Sequence, residues 1–121
     1  MIENFGIGID IVDINRFRDT PYKEKITFYK KIFNKKEIEY CLQFNDPYPH
    51  FAGKFAIKEA TLKAIKEKIQ LLDIEILHVK SKPNVKIKKS KKKYQFQVSV
   101  SHEKKIAVAV VISFEENKLK V

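Results

Sequence analysis

Residues 5–12, Phe-Gly-Ile-Gly-Ile-Asp-Ile-Val, alternate without a break. Phe5, Ile7, Ile9 and Ile11 share one face, and Gly6, Gly8, Asp10 and Val12 share the other. A period of two sustained over this length dictates a strand. The chain has only 3 glycines, and two of them fall on one face of this strand. That face is bare of side chains, so a helix or a ligand can approach it closely. Asp10 lies on the same face. Its plain reading is a solvated strand position, and its functional reading is a carboxylate in a cleft.

The second constraint is a long helical pattern from about His50 to Ile69. Ala52, Ala56, Ala60 and Ala64 recur at four-residue steps, together with Phe51, Phe55, Leu62 and Ile65. Small side chains let such a helix lie close to a sheet, while the aromatic rings fill space. Glu59 and Lys63, also four apart, point within roughly 40° of each other. The helical wheel sets Phe55 and Leu62 on one side of them and Ala52, Ala56 and Ala60 on the other. An acid and a base therefore fall inside the packing face. A solvated pair at this spacing contributes about 0.2–0.5 kcal/mol, but burying charge without a strong partner is costly, so the placement favours a site. Asp10 and Glu59 together offer hard oxygen ligands with no His or Cys nearby in sequence. Such a pair suits Mg²⁺, with phosphate oxygens and waters completing its sphere. Lys63 beside it would neutralise phosphate charge. Asp13 is a weaker ligand candidate, because it falls on the Ile9 and Ile11 side of the strand.

Elsewhere, Asn15 is placed to cap a short helix near Arg16 that ends before Pro21. Residues 23–45 read as helix in two pieces, with Asn34 capping 35–44, and 45–49 as a loop. Strands are expected at 72–80, at 84–88 after Pro83, at 94–101 and at 106–114. The last is a near-continuous apolar run, which predicts a strand buried on both faces. The short segment 102–105 joins the final two as a hairpin. The sum is an α+β fold, an antiparallel sheet with one long packed helix and short helices. The 121 residues make a single domain spanning 1–121.

A 44% apolar content excludes wholesale disorder. The sequence holds no membrane span and reads as having no signal peptide. Its single cysteine, Cys41, fits a reducing, cytoplasmic setting. The net charge of +10 points to an acidic partner or a phosphate-bearing ligand. A non-enzymatic basic nucleic-acid-binding module is the competing reading. However, Arg16 and Arg18 are the only arginines among 25 cations, whereas readers of bases lean on arginine forks. The 8 lysines of 80–93 read as a solvated hairpin or as a polybasic attractor. His50, His78 and His102 lack zinc spacing. No dinucleotide or phosphate-binding glycine loop occurs, and Ser99 and Ser101 lack a nucleophile elbow.

Three blocks then combine: Gly6-Ile7-Gly8-Ile9-Asp10-Ile11-Val12 followed by Arg16-Phe17, Phe51 through Ala64, and Val98-Ser99-Val100-Ser101-His102. In order and spacing the chain resembles the holo-(acyl-carrier-protein) synthase family, the short 4′-phosphopantetheinyl transferases. The resemblance implies transfer of the phosphopantetheine arm of coenzyme A to a serine of an acidic apo acyl carrier protein, with release of adenosine 3′,5′-bisphosphate. It implies that Asp10 and Glu59 bind Mg²⁺, that Lys63 acts near the CoA phosphates and that His102 lies by the nucleotide. It further implies that Arg16 engages the carrier and that the enzyme is a homotrimer with sites between subunits, acting without membrane or nucleic acid. The base that takes the serine proton stays open between Glu59, a metal-held water and the 35–46 segment. Two departures stand out. Lys66-Glu67-Lys68-Ile69 replaces a glycine-rich stretch after the long helix. The connection before the Ser-x-Ser-His block is short and lysine-rich, so a small helix common there is expected to be missing. An inactive homologue that still binds a carrier is the reading those departures motivate.

Overall fold

The structure, a computed structural model, describes residues 4–116. Strand β1 (Phe5–Asp13) leads into the short helices α1 (Asn15–Arg18), α2 (Ile26–Ile32) and α3 (Lys35–Leu42) and the long helix α4 (Tyr48–Ala64). Strands β2 (Ile74–Val79), β3 (Lys82–Ile87), β4 (Tyr94–His102) and β5 (Ile106–Glu115) follow. All pairings are antiparallel and form two sheets, a three-stranded one ordered β1-β5-β4 and a two-stranded β2-β3. The predicted hairpin is the β4–β5 pair, closed by the Glu103 amide donating to the Ile106 carbonyl at 2.8 Å.

Helix α4 lies against the glycine face of β1. A Cβ on Gly6 would collide with the Ala64 carbonyl, and one on Gly8 with the Ala60 carbonyl. The bare face therefore receives a helix backbone, and no larger residue fits while α4 stays this close. The opposite face of β1 is left open: Ile7, Ile9 and Ile11 are 61%, 59% and 65% exposed. On β5, Ala107, Ala109 and Val111 are buried inward, but Val108, Val110 and Ile112 are only half-buried outward. The expectation of a strand buried on both faces thus fails, because none of the described residues covers the outer face of the sheet.

The helical side packs around rings. Phe17 is flanked by Tyr29, Phe33, Phe51 and Phe55, with centroids 5.6–6.5 Å away. The Tyr29 hydroxyl donates to the Thr20 carbonyl at 2.6 Å. Asn34 caps α3 as predicted, in a reciprocal box with Glu37. The cap of α1 differs from the sequence reading: the N-cap residue is Ile14, which makes no side-chain cap bond, and the Asn15 amide donates to Asp13 Oδ1 at 2.9 Å. Helix α4 starts at Tyr48, inside the predicted loop, because Pro47 and Pro49 need no amide partners in a first turn. It ends at Ala64, five residues before the predicted stop, where Ile65 turns extended and buries its side chain.

Candidate active site

Phe55, Glu59 and Lys63 succeed one another by four residues along α4, so they form one stripe down one side of the helix. Arg16, projecting from α1, lays its guanidinium over the Phe55 ring, 5.0 Å from the centroid. Glu59, half-buried, comes one turn later. One further turn on, the Lys63 Nζ donates to the Ile9 carbonyl at 2.9 Å and to Asp10 Oδ1 at 3.2 Å. Asp10 and Lys63 therefore meet across the seam between α4 and β1, with Glu59 one turn and the Arg16–Phe55 contact two turns back along the same stripe of α4. The Asp10 side chain is 16% exposed and that of Lys63 54%. The carboxylate is sheltered and its cation is open to solvent. Lys63 thus sits at the edge of the packing face and not within it, because its long stem reaches out past the glycine-lined contact.

The donor set fits a hard divalent cation. Asp10 already holds a cation, the Lys63 ammonium, at the position its carboxylate offers. Glu59 follows on the side of α4 from which Lys63 reaches Asp10. Among the described residues no three His, Cys, Asp or Glu side chains converge. Asp10 and Glu59 would be the oxygen donors of this chain, and one or two carboxylates are the usual provision for Mg²⁺ that also binds substrate phosphates.

His102 is not brought to this seam within one chain. It pairs with Ala107 on β5, which pairs with Val12 on β1, so it lies two strands from β1. Its neighbour is His50 of α4, with ring centroids 5.9 Å apart. His50 stacks on Phe44 at 3.6 Å, and His78 stacks on Tyr40 at 4.0 Å. Lys54, buried, lies 2.7 Å from His78 Nε2 and 4.4 Å from the Tyr40 centroid. Burial first, then the nearby Lys54 and His50, bring His78 down to about 4. Burial likewise lowers Lys54 and His50.

Sequence reasoning passed over a second polar centre. The Lys58 Nζ, wholly buried, donates to Glu37 Oε1 and the Ile32 carbonyl at 2.8 Å and to the Leu71 carbonyl at 3.0 Å. Glu37 Oε2 accepts the Ile76 amide at 2.8 Å. One ion pair thus joins α2, α3, α4 and β2. Asn34 with Glu37 three residues on was a legible capping signal. That Lys58 would complete it had no local signature.

These observations define a basic α+β protein with two carboxylates and a lysine at an open helix–strand seam. Residues 6–111 match the family model of the 4′-phosphopantetheinyl transferase superfamily. The chain belongs to that superfamily. It is 43% identical over 83 residues to a holo-(acyl-carrier-protein) synthase of Chlamydia caviae, covering 65% of this chain and 68% of that one. It is 40% identical over 90 residues to a holo-(acyl-carrier-protein) synthase of Thermodesulfovibrio yellowstonii, covering 72% and 78%. Among solved structures it resembles the holo-(acyl-carrier-protein) synthase of Bacillus anthracis in complex with CoA (3′,5′-ADP), with a TM-score of 0.75, 31% identity and coverage of 93% and 96%. It also resembles that of Helicobacter pylori in complex with coenzyme A, with a TM-score of 0.75, 32% identity and coverage of 88% and 98%.

Proposed function

We propose that this chain is a Mg²⁺-dependent holo-(acyl-carrier-protein) synthase whose chemistry runs at the Asp10–Glu59–Lys63 seam. It transfers the 4′-phosphopantetheine arm of coenzyme A to a serine of apo acyl carrier protein and releases adenosine 3′,5′-bisphosphate. The new bond forms between the serine oxygen and the pantetheine-bearing phosphorus. The bond from that phosphorus to the bridging oxygen breaks, the leaving group keeps the electron pair, and the serine proton passes to a base, for which Glu59, a bound water and the 35–46 segment are the candidates. Little covalent work falls to the protein, so positioning and charge neutralisation dominate.

Asp10 and Glu59 would hold the ion. Held there, the ion would contribute charge neutralisation and Lewis-acid polarisation of the diphosphate. Lys63, tethered among the described residues to Asp10 and the Ile9 carbonyl, is free to turn its ammonium to a phosphate where charge develops. Arg16, flat against Phe55, presents a cation at the same seam for an acidic carrier. His102 serves the nucleotide from a neighbouring copy, which accounts for its distance from Asp10 within one chain. The uncovered Ile7, Ile9 and Ile11 support a homotrimer in which copies cover one another's outer sheet faces. No helix among the described residues is long and apolar enough to cross a membrane, in keeping with a cytoplasmic setting.

The observation that supports the reading is the Lys63–Asp10 contact between α4 and β1, with Glu59 one turn earlier on the same stripe of α4 and Arg16 against Phe55 one turn before that. The test is mass spectrometry of an apo carrier incubated with CoA, with Mg²⁺ or with a chelator. Addition of the phosphopantetheine arm only with the metal supports the proposal. No addition by folded enzyme with any carrier tried refutes it. Sedimentation of wild type and Ile9→Lys tests the assembly, and a wild-type monomer at micromolar concentration refutes it.

A further inference from the structure

The 66–69 segment after α4 and the lysine-rich connection before β4, both singled out in the sequence, meet in space. Glu67 lies just beyond α4, and residues 88–93 connect β3 to β4 without a helix. Glu67 Oε1 accepts the Ser90 hydroxyl at 2.6 Å and the Tyr94 hydroxyl at 2.8 Å. Ser90 is itself tied into the turn, since its Oγ accepts the Lys92 amide at 3.0 Å and lies 2.8 Å from the Lys92 carbonyl. Ser90 and Tyr94 are half-buried, whereas Lys88, Lys89, Lys91, Lys92 and Lys93 all point outward and are exposed. A turn with five lysines in six residues repels itself and has little reason to hold one shape. A single carboxylate holds this one from the inside; Lys88 and Lys92 lie 3.7 Å from Glu75 and Glu115, whereas Lys89, Lys91 and Lys93 form no ion pair among the described residues. Lys92 and Lys66 line one cleft of about 170 Å³, together with Gly6, Ala64 and Ser113. That cleft lies on the α4–β1 seam, four strand residues from Asp10, or about 13 Å along β1.

We propose that Glu67 is a positioning residue. By gripping Ser90 and Tyr94 it fixes the 88–93 turn against the end of α4 and holds a lysine wall along the reaction seam, where it captures the polyphosphorylated donor. This rests on the transferase reading above. Fixed cations beside a concave seam raise the local concentration of a polyanion and act on capture more than on the chemical step.

The test compares wild type with Glu67→Ala, Glu67→Gln, Tyr94→Phe and the pair Lys91→Gln with Lys92→Gln. KM for CoA, kcat, and equilibrium CoA binding by calorimetry are measured at several salt concentrations. Glu67→Ala should raise KM for CoA about five- to tenfold, leave kcat within about twofold and flatten the salt dependence. Glu67→Gln, which keeps an oxygen to accept both hydroxyls, should recover most of the loss, and Tyr94→Phe should show a smaller one. The double lysine variant should reproduce the KM and salt effects with the turn still protected from hydrogen exchange. A lower melting temperature with unchanged KM and salt slope in Glu67→Ala, or a double lysine variant that binds CoA as wild type does, overturns the proposal. Absence of transfer by wild type overturns the transferase reading instead, while calorimetric CoA binding still decides the role of Glu67.

Discussion

Helix α4 carries two lysine–carboxylate pairs five residues apart, and they do opposite work. Lys58 and Glu37 are almost wholly buried at 2.8 Å. All three Lys58 donors are used, and both Glu37 oxygens accept bonds. Lys63 and Asp10 meet at 3.2 Å with the lysine half in solvent. The first pair is saturated and can do nothing but hold elements together. The second is unsaturated and leaves room for another ligand. Two pairs with the same kinds of charge separate into joint and candidate site by how completely each is satisfied, because desolvation makes an unpaired buried charge intolerable and an exposed one cheap.

The most severe test of this contrast is Lys58→Met. It leaves Glu37 buried without its cation and should cost about 3–5 kcal/mol of stability, read by urea denaturation. A loss below about 1 kcal/mol would place Lys58 with the ordinary surface lysines. Asp10→Ala and Glu59→Ala should each cut transfer by about a hundredfold or more and leave the melting temperature within a few degrees. Retained turnover in either would dissolve the proposed site. Lys63→Gln should cost about tenfold in kcat and less than about 1 kcal/mol in stability, and the reverse pattern would make Lys63 a second joint.

The smallest effect concerns His78, whose value of about 4 lies below its ordinary 6.5 through burial and then the neighbouring Lys54 and His50. The folded chain resists a proton that the unfolded chain accepts. Its contribution is complete above pH 6.5 and is lost as pH falls from 6.5 toward 4. Urea midpoints at pH 7.5 and 5 should therefore fall less with acid in His78→Gln than in wild type. An equal fall in both would show that His78 is not the titrating group.

Much of the site was legible because its signals are local. The alternation of 5–12 displayed Asp10 on a bare strand face, and the four-residue steps of α4 aligned Glu59 with Lys63. Lys54 and Lys58 were not legible. A lysine in an alanine-rich helix reads as solvated, and only the arrival of Tyr40, His78 and Glu37 from elsewhere buries it. The bond from the Asn15 amide to Asp13 was hidden for a related reason: the side of the strand that Asp13 occupies was visible, but the turn that follows it was not. The end of α4 was also out of reach, because the extended Ile65 and the Glu67 grip on Ser90 and Tyr94 depend on contacts distant in sequence.

The sequence by itself determined the strand and helix periods, the α+β class, the placement of acid and base on one helix stripe and the family resemblance. These follow from residue spacing, which local backbone geometry converts directly into faces. Tertiary structure alone decided that the glycine face receives α4 while the isoleucine face stays open. It alone separated the saturated lysine pair from the available one and joined Glu67 to the lysine turn. Each of these depends on which distant groups exclude water from a given charge, and no spacing along the chain encodes that.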